Sequence, residues 1–139
     1  MVHVKDDGVF DEPLDKIWRF LSDDAGHQHS MVKTSKVSEQ SEKGMTADVE
    51  VKNPDGSWRK ETWKMSFNPP TDFTIEVTSG PMKGTKHKHT YTRMGDKTKV
   101  VVEGEFFAQG LDDAAVTRAA LAMFEQVFNE DTAQLKSFK

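Results

Sequence analysis

Two histidines stand two residues apart in KHKHT, at His87 and His89, and Tyr91 follows at the same spacing. Imidazole changes charge near neutrality, so such a row can hold, give or take a proton where few side chains can. Neighbouring histidines on one face of a strand can also chelate zinc, given a third ligand. The H-x-H spacing recurs at His27 and His29, which makes those two the obvious further donors. Three roles stay open for His87, His89 and Tyr91. They can be hydrogen-bonded core groups, polar contacts for a bound molecule, or catalytic acid and base groups. The choice depends on which way the side chains point.

In a strand over 85–93, side chains alternate between faces. Thr85, His87, His89, Tyr91 and Arg93 share one face; Lys86, Lys88, Thr90 and Thr92 share the other. Lysine ammonium groups avoid burial, so the even face meets solvent and the histidines turn inward. On the following strand Val100, Val102, Gly104 and Phe106 face inward by the same parity. Glu103 and Glu105 then point outward, toward lysines of neighbouring strands, in exposed pairs worth about 0–1 kcal/mol.

The elements that position this row follow from periodicity. Residues 2–10 form a first strand. DEPLDKIWRFLSD is a short amphipathic helix: Pro13 suits the first turn, acids surround it, and Leu14, Ile17, Trp18 and Leu21 recur at helical spacing. DDAGHQHS reads as a second brief helix or a loop. From about residue 31 the period becomes two, with turn signals at SEKG, NPDG, NPPTD, SGPMKG and MGD. Met45, Ala47, Val49 and Val51 share a face, as do Trp63, Met65 and Phe67, then Phe73, Ile75 and Val77. One wet face and one dry face are expected of an antiparallel sheet. Trp58 has the opposite parity to Trp63 and is expected to cover an edge or loop. Residues 111–137 lack Gly and Pro and carry a broad apolar stripe through Val116, Ala120, Met123, Phe124, Val127, Phe128 and Leu135. Asp131 falls within that stripe; a lone buried carboxylate is costly, so the helix end is expected to overhang the sheet and leave Asp131 wet. The predicted fold is α+β: a curved antiparallel sheet of about seven strands around a long C-terminal helix, with one or two short helices after the first strand, all in a single domain over 1–139.

Composition narrows the function. The 139 residues carry a net charge of −4 and no cysteine. Disulfides, Cys-ligated zinc and thiol catalysis are excluded. An acidic chain with only local lysine clusters argues against nucleic-acid binding. The first residues are too polar for a signal peptide, and no apolar run reaches the roughly 20 residues that span a bilayer. The expectation is a cytoplasmic protein with no stable membrane insertion. No phosphate-binding glycine loop, nucleophile elbow or HExxH motif occurs. No metal and no cofactor are expected.

Three stretches carry a family likeness. EPLDKIWRFLSD, with its Pro, Trp and closing Asp, resembles the first helix of the START-like (SRPBCC, Bet v 1-like) superfamily. TYTRMGDKTKVVVEGEF resembles its late hairpin, and FEQVFNEDTAQLKSF the end of its terminal helix. The likeness is nearest the polyketide cyclase/dehydrase-like branch, with quinone-binding proteins and a carbon-monoxide-dehydrogenase-associated group close in pattern. It implies the helix-grip fold and a cavity between sheet and helix. It implies binding of a small apolar or amphipathic molecule, such as a lipid, polyketide or quinone, by a monomer or homodimer. The expected lining residues are Trp63, Met65, Phe67, Phe73, Ile75, His87, His89, Tyr91, Val102, Phe106, Met123 and Val127. Two alternatives stand beside this: a cyclase or dehydratase that uses His87 or His89 with Tyr91, and an interaction module whose own side chains fill the interior.

Overall fold

The computed structural model describes residues 1–23 and 28–139. Strand β1 (Val2–Phe10) leads into helix α1 (Leu14–Leu21); six strands follow, β2 (Val32–Gln40), β3 (Gly44–Lys52), β4 (Trp58–Asn68), β5 (Asp72–Ser79), β6 (Lys86–Met94) and β7 (Lys97–Phe106), and then helix α2 (Asp113–Ser137). The strands form one antiparallel sheet in the order β1-β7-β6-β5-β4-β3-β2. Element order, strand count and the long terminal helix agree with the periodicity. Residues 24–27 of the second helix or loop expected at DDAGHQHS, His27 among them, lie outside the described residues.

Local chemistry explains the boundaries of both helices. Pro13 precedes α1, with Asp15 in the first turn and Arg19 in the last, complementing the helix dipole. Asp112 caps α2 by accepting from the Ala115 backbone N–H at 2.8 Å. On α1 the most buried residues are Ile17 and Phe20; Phe20 meets Phe138 edge-on at 5.5 Å.

The dry face of the sheet divides into two apolar groups. One joins β1, β6 and β7 to both helices through Val4, Phe10, Ile17, Tyr91, Val102, Phe106 and Phe124. The other lies on β3, around Ala47, Val49 and Val51, with Met45 and Trp63 beside it. Helix α2 packs chiefly on β1 and β7 rather than across the whole sheet. Gly8 makes that contact close: a Cβ there would stand 2.7 Å from Phe128, whose ring stacks on Phe10 at 4.6 Å. Edge strand β2 is almost wholly exposed and its ladder with β3 is broken by two register shifts, which blunts it against pairing with other chains.

Side chains on β6 alternate between solvent and interior as expected. Lys86 and Lys88 are exposed, while Thr85, His87 and Tyr91 are buried. Arg93 reaches solvent at the strand end. Glu103 and Glu105 do face outward, but their side chains bind the two ring nitrogens of His3, at 3.1 and 3.0 Å. Asp131 departs from expectation, being 6% exposed. Helix α2 does not overhang: Leu135, one turn later, and Phe138, just past the helix end, still pack on the core.

Candidate functional site

A cleft of about 500 Å³ opens against the first apolar group, beside α2. Its walls come from the first half of α2, the β3–β4 and β5–β6 turns, the end of β7 and the residues before β2. Phe106, Val116, Ala120 and Met123 supply apolar wall, with Met82 and Ala108 opposite. Turn and loop are tied together. Thr85 Oγ1 donates to the Phe107 carbonyl at 3.0 Å and accepts from its N–H at 3.1 Å; the Gln109 N–H donates to Pro81 O at 2.8 Å.

The charged part of the cleft starts on β4. Arg59, Glu61, Trp63, Met65 and Phe67 share the inner face of this strand. Arg59 Nε donates to Glu61 at 2.8 Å, one Nη to Asn53 Oδ1 at 2.9 Å, and the other to the Met82 thioether at 3.1 Å. The second Glu61 oxygen accepts from Trp63 Nε1 at 2.8 Å. A buried carboxylate is tolerated because both oxygens are served by donors. Sequence reasoning passed over Arg59 and Glu61, although their parity with Trp63, Met65 and Phe67 places them inside. Trp58 takes the other face, where Lys33 Nζ stands 4.0 Å from its ring.

Near the cleft, residues 28–30 are strapped to α2. His29 Nδ1 lies 2.9 Å from Glu130 and its Nε2 lies 3.3 Å from Asp131. Ser30 Oγ donates to Glu130 and accepts from Gln126, and the Gln28 N–H donates to Gln134. Burial opposes protonation of His29, but Asp131 and Glu130 outweigh it and raise its pKa. This is the partner that makes a buried Asp131 tolerable. The two ring nitrogens serve different carboxylates, so the cluster is an ion-pair clasp. Among the described residues no group of three or more His, Asp or Glu could hold a metal ion.

The histidine row lies deeper than the cleft. His87 Nδ1 and His89 Nε2 share a hydrogen bond at 3.0 Å. His87 stacks on Phe106 at 5.3 Å, and His89 on Phe73 at 4.4 Å. Tyr91 meets Trp18 edge-on at 5.5 Å. Burial pushes His87 down to about 4, and burial with the Asp131 charge pushes the Tyr91 phenol up. Neither group is tuned toward neutral pH, where acid–base catalysis is most efficient. Of the expected lining residues, only Phe106 and Met123 line this cleft. His87, Tyr91, Ile75 and Val102 are buried in the core. Trp63, Met65, Phe67, Phe73, His89 and Val127 are partly buried beyond it. The difference arises because α2 settles on β1 and β7, and Phe124 and Phe106 close over His87.

Comparison with known proteins bears on the same architecture. The family model described as "Polyketide cyclase / dehydrase and lipid transport" matches residues 1–137. The chain belongs to this family. The polyketide cyclase/dehydrase and lipid transport family supports a general role in ligand binding or cyclisation. A START superfamily protein from Mycobacterium smegmatis has a similar structure, with TM-score 0.80 and 12% identity over 99% of each chain. TTHA0849 from Thermus thermophilus gives TM-score 0.77 and 10% identity over 98% of each chain. The Zhui aromatase/cyclase from a Streptomyces species gives 0.71 and 16%, over 96% of this chain and 90% of that one. These likenesses show the helix-grip fold. No curated protein matches the sequence. Among the described residues no helix is long and apolar enough to cross a membrane.

Proposed function

We propose that this member of the family binds a small apolar or amphipathic molecule in the cleft between α2 and the sheet. The observation that carries the reading is the cleft itself: about 500 Å³, apolar on its walls, with a few polar groups at its edge. Ligand sites usually enclose about 300–1,000 Å³ and have this polarity. Phe106 and Met123 form the proposed contact set with Met82, Ala120 and Arg59. An interior filled by its own side chains would leave far less room. The acid–base alternative draws less support, since His87 and Tyr91 lie under Phe106 and Trp18 with pKa values driven away from neutrality.

Ala119 is exposed on the α2 wall of the cleft. Ala119→Trp is therefore expected to weaken binding of a fluorescent fatty-chain probe at least about tenfold, with thermal unfolding little changed, as for an exposed helix substitution. Probe titration of both proteins checks this. Equal affinity in the two would place the binding site elsewhere.

A further inference from the structure

The chain is acidic, with a net charge of −4, yet the charged side chains lining the cleft are Lys52 and Arg59. No Asp or Glu lines it among the described residues. The geometry of the Arg59–Glu61 pair decides which partner a ligand meets. The Glu61 side chain is 2% exposed and that of Arg59 is 16%. Glu61 is occupied on both oxygens, by Arg59 and Trp63, so it has little to offer a ligand hydroxyl. Arg59 points one nitrogen at the Met82 sulfur, a weak acceptor. An oxyanion in that position would be a much stronger partner. The cleft therefore presents a donor backed by a fixed carboxylate, not an open acceptor.

Resting on the binding function proposed above, we infer that the ligand is an anionic amphiphile, its oxyanion held by Arg59 with Lys52 nearby and its apolar chain laid along Phe106, Ala120 and Met123. The recognised chemistry is the oxyanion. A carboxylate and a phosphate ester both supply it, so the test includes each.

Binding of four twelve-carbon probes is measured by calorimetry at pH 8, below their micelle concentrations: dodecanoate, dodecyl phosphate, dodecanol and dodecyltrimethylammonium. The anions are expected to bind about tenfold to a hundredfold more tightly than dodecanol, the range of a hydrogen bond to a charged group. The tighter of the two anions identifies carboxylate or phosphate as the source. The paired variant Arg59→Gln/Glu61→Gln removes both charges together and leaves no buried ion alone. It is expected to bring the anions to within about threefold of dodecanol; circular dichroism checks that it folds. Should dodecanol or the cationic probe bind as tightly as the anions to the wild-type protein, the inference is overturned while the binding function stands. An anion preference that survives in the folded paired variant removes Arg59 from the role. If none of the four probes binds, both the inference and the function beneath it fall. The probe series on the wild-type protein decides the charge preference even if the variant does not fold.

Discussion

Gly104→Ala is expected to cost about 3 kcal/mol of unfolding free energy, the upper end of what overpacking a tight site removes. Gly104 pairs with His87 across the β6–β7 ladder. A Cβ on Gly104 would run into the Lys86 carbonyl oxygen and stand 2.5 Å from His87 Cα. Those are backbone atoms of the partner strand and cannot rotate aside. The two strands would have to separate one pair from the end of their ladder, two residues from Phe106, which is 1% exposed and forms part of both core and cleft. Urea unfolding followed by circular dichroism measures the cost. A loss under about 1 kcal/mol would mean that the ladder can open there without penalty.

His87 should make stability depend on pH. Its unfolded value is 6.5 and its folded value about 4, lowered by burial. Between these values the unfolded chain binds a proton that the folded chain refuses. Stability therefore falls as pH falls from about 6.5 to about 4, by up to about 3 kcal/mol from this group. His87→Phe keeps a ring on Phe106 and removes the titration. The stability difference between the two proteins is expected to be flat above pH 7 and to shift by about 3 kcal/mol in favour of the variant by pH 4. His29 acts with the opposite sign. Its contribution is full below the unfolded value of 6.5 and is lost as pH rises through the raised folded value. Both proteins keep His29, so it cancels in the difference. Parallel stability curves would contradict the burial of a neutral His87.

Period-two reading places His87 and Tyr91 inside because the lysines between them settle the direction of the whole strand. The same logic applied to WRKETWK would place Arg59 and Glu61 inside with Trp63. The habit of sending charges outward hides them, since a buried ion pair is legible only when its partners are considered together. Asp131 sits in the apolar stripe by spacing. Its partner His29 lies about a hundred residues away in sequence, so only the folded chain shows what stabilises it. The cleft is the least legible feature. Its rim is made of turns, at Asn53–Pro54, Pro81–Met82 and Ala108–Gln109, and turn signals fix where a chain reverses, not what it then faces.

Methionine-methyl NMR tests the central claim, that the cleft beside α2 receives the ligand. Met31, Met82 and Met123 line it, whereas Met45 sits on β3 and Met94 at the exposed end of β6. Titration with dodecanoate is expected to move the methyl signals of Met31, Met82 and Met123 together, saturably, and to leave those of Met45 and Met94 in place. Saturable binding that moves Met45 while Met82 and Met123 stay still would contradict the account, as would the absence of any shift.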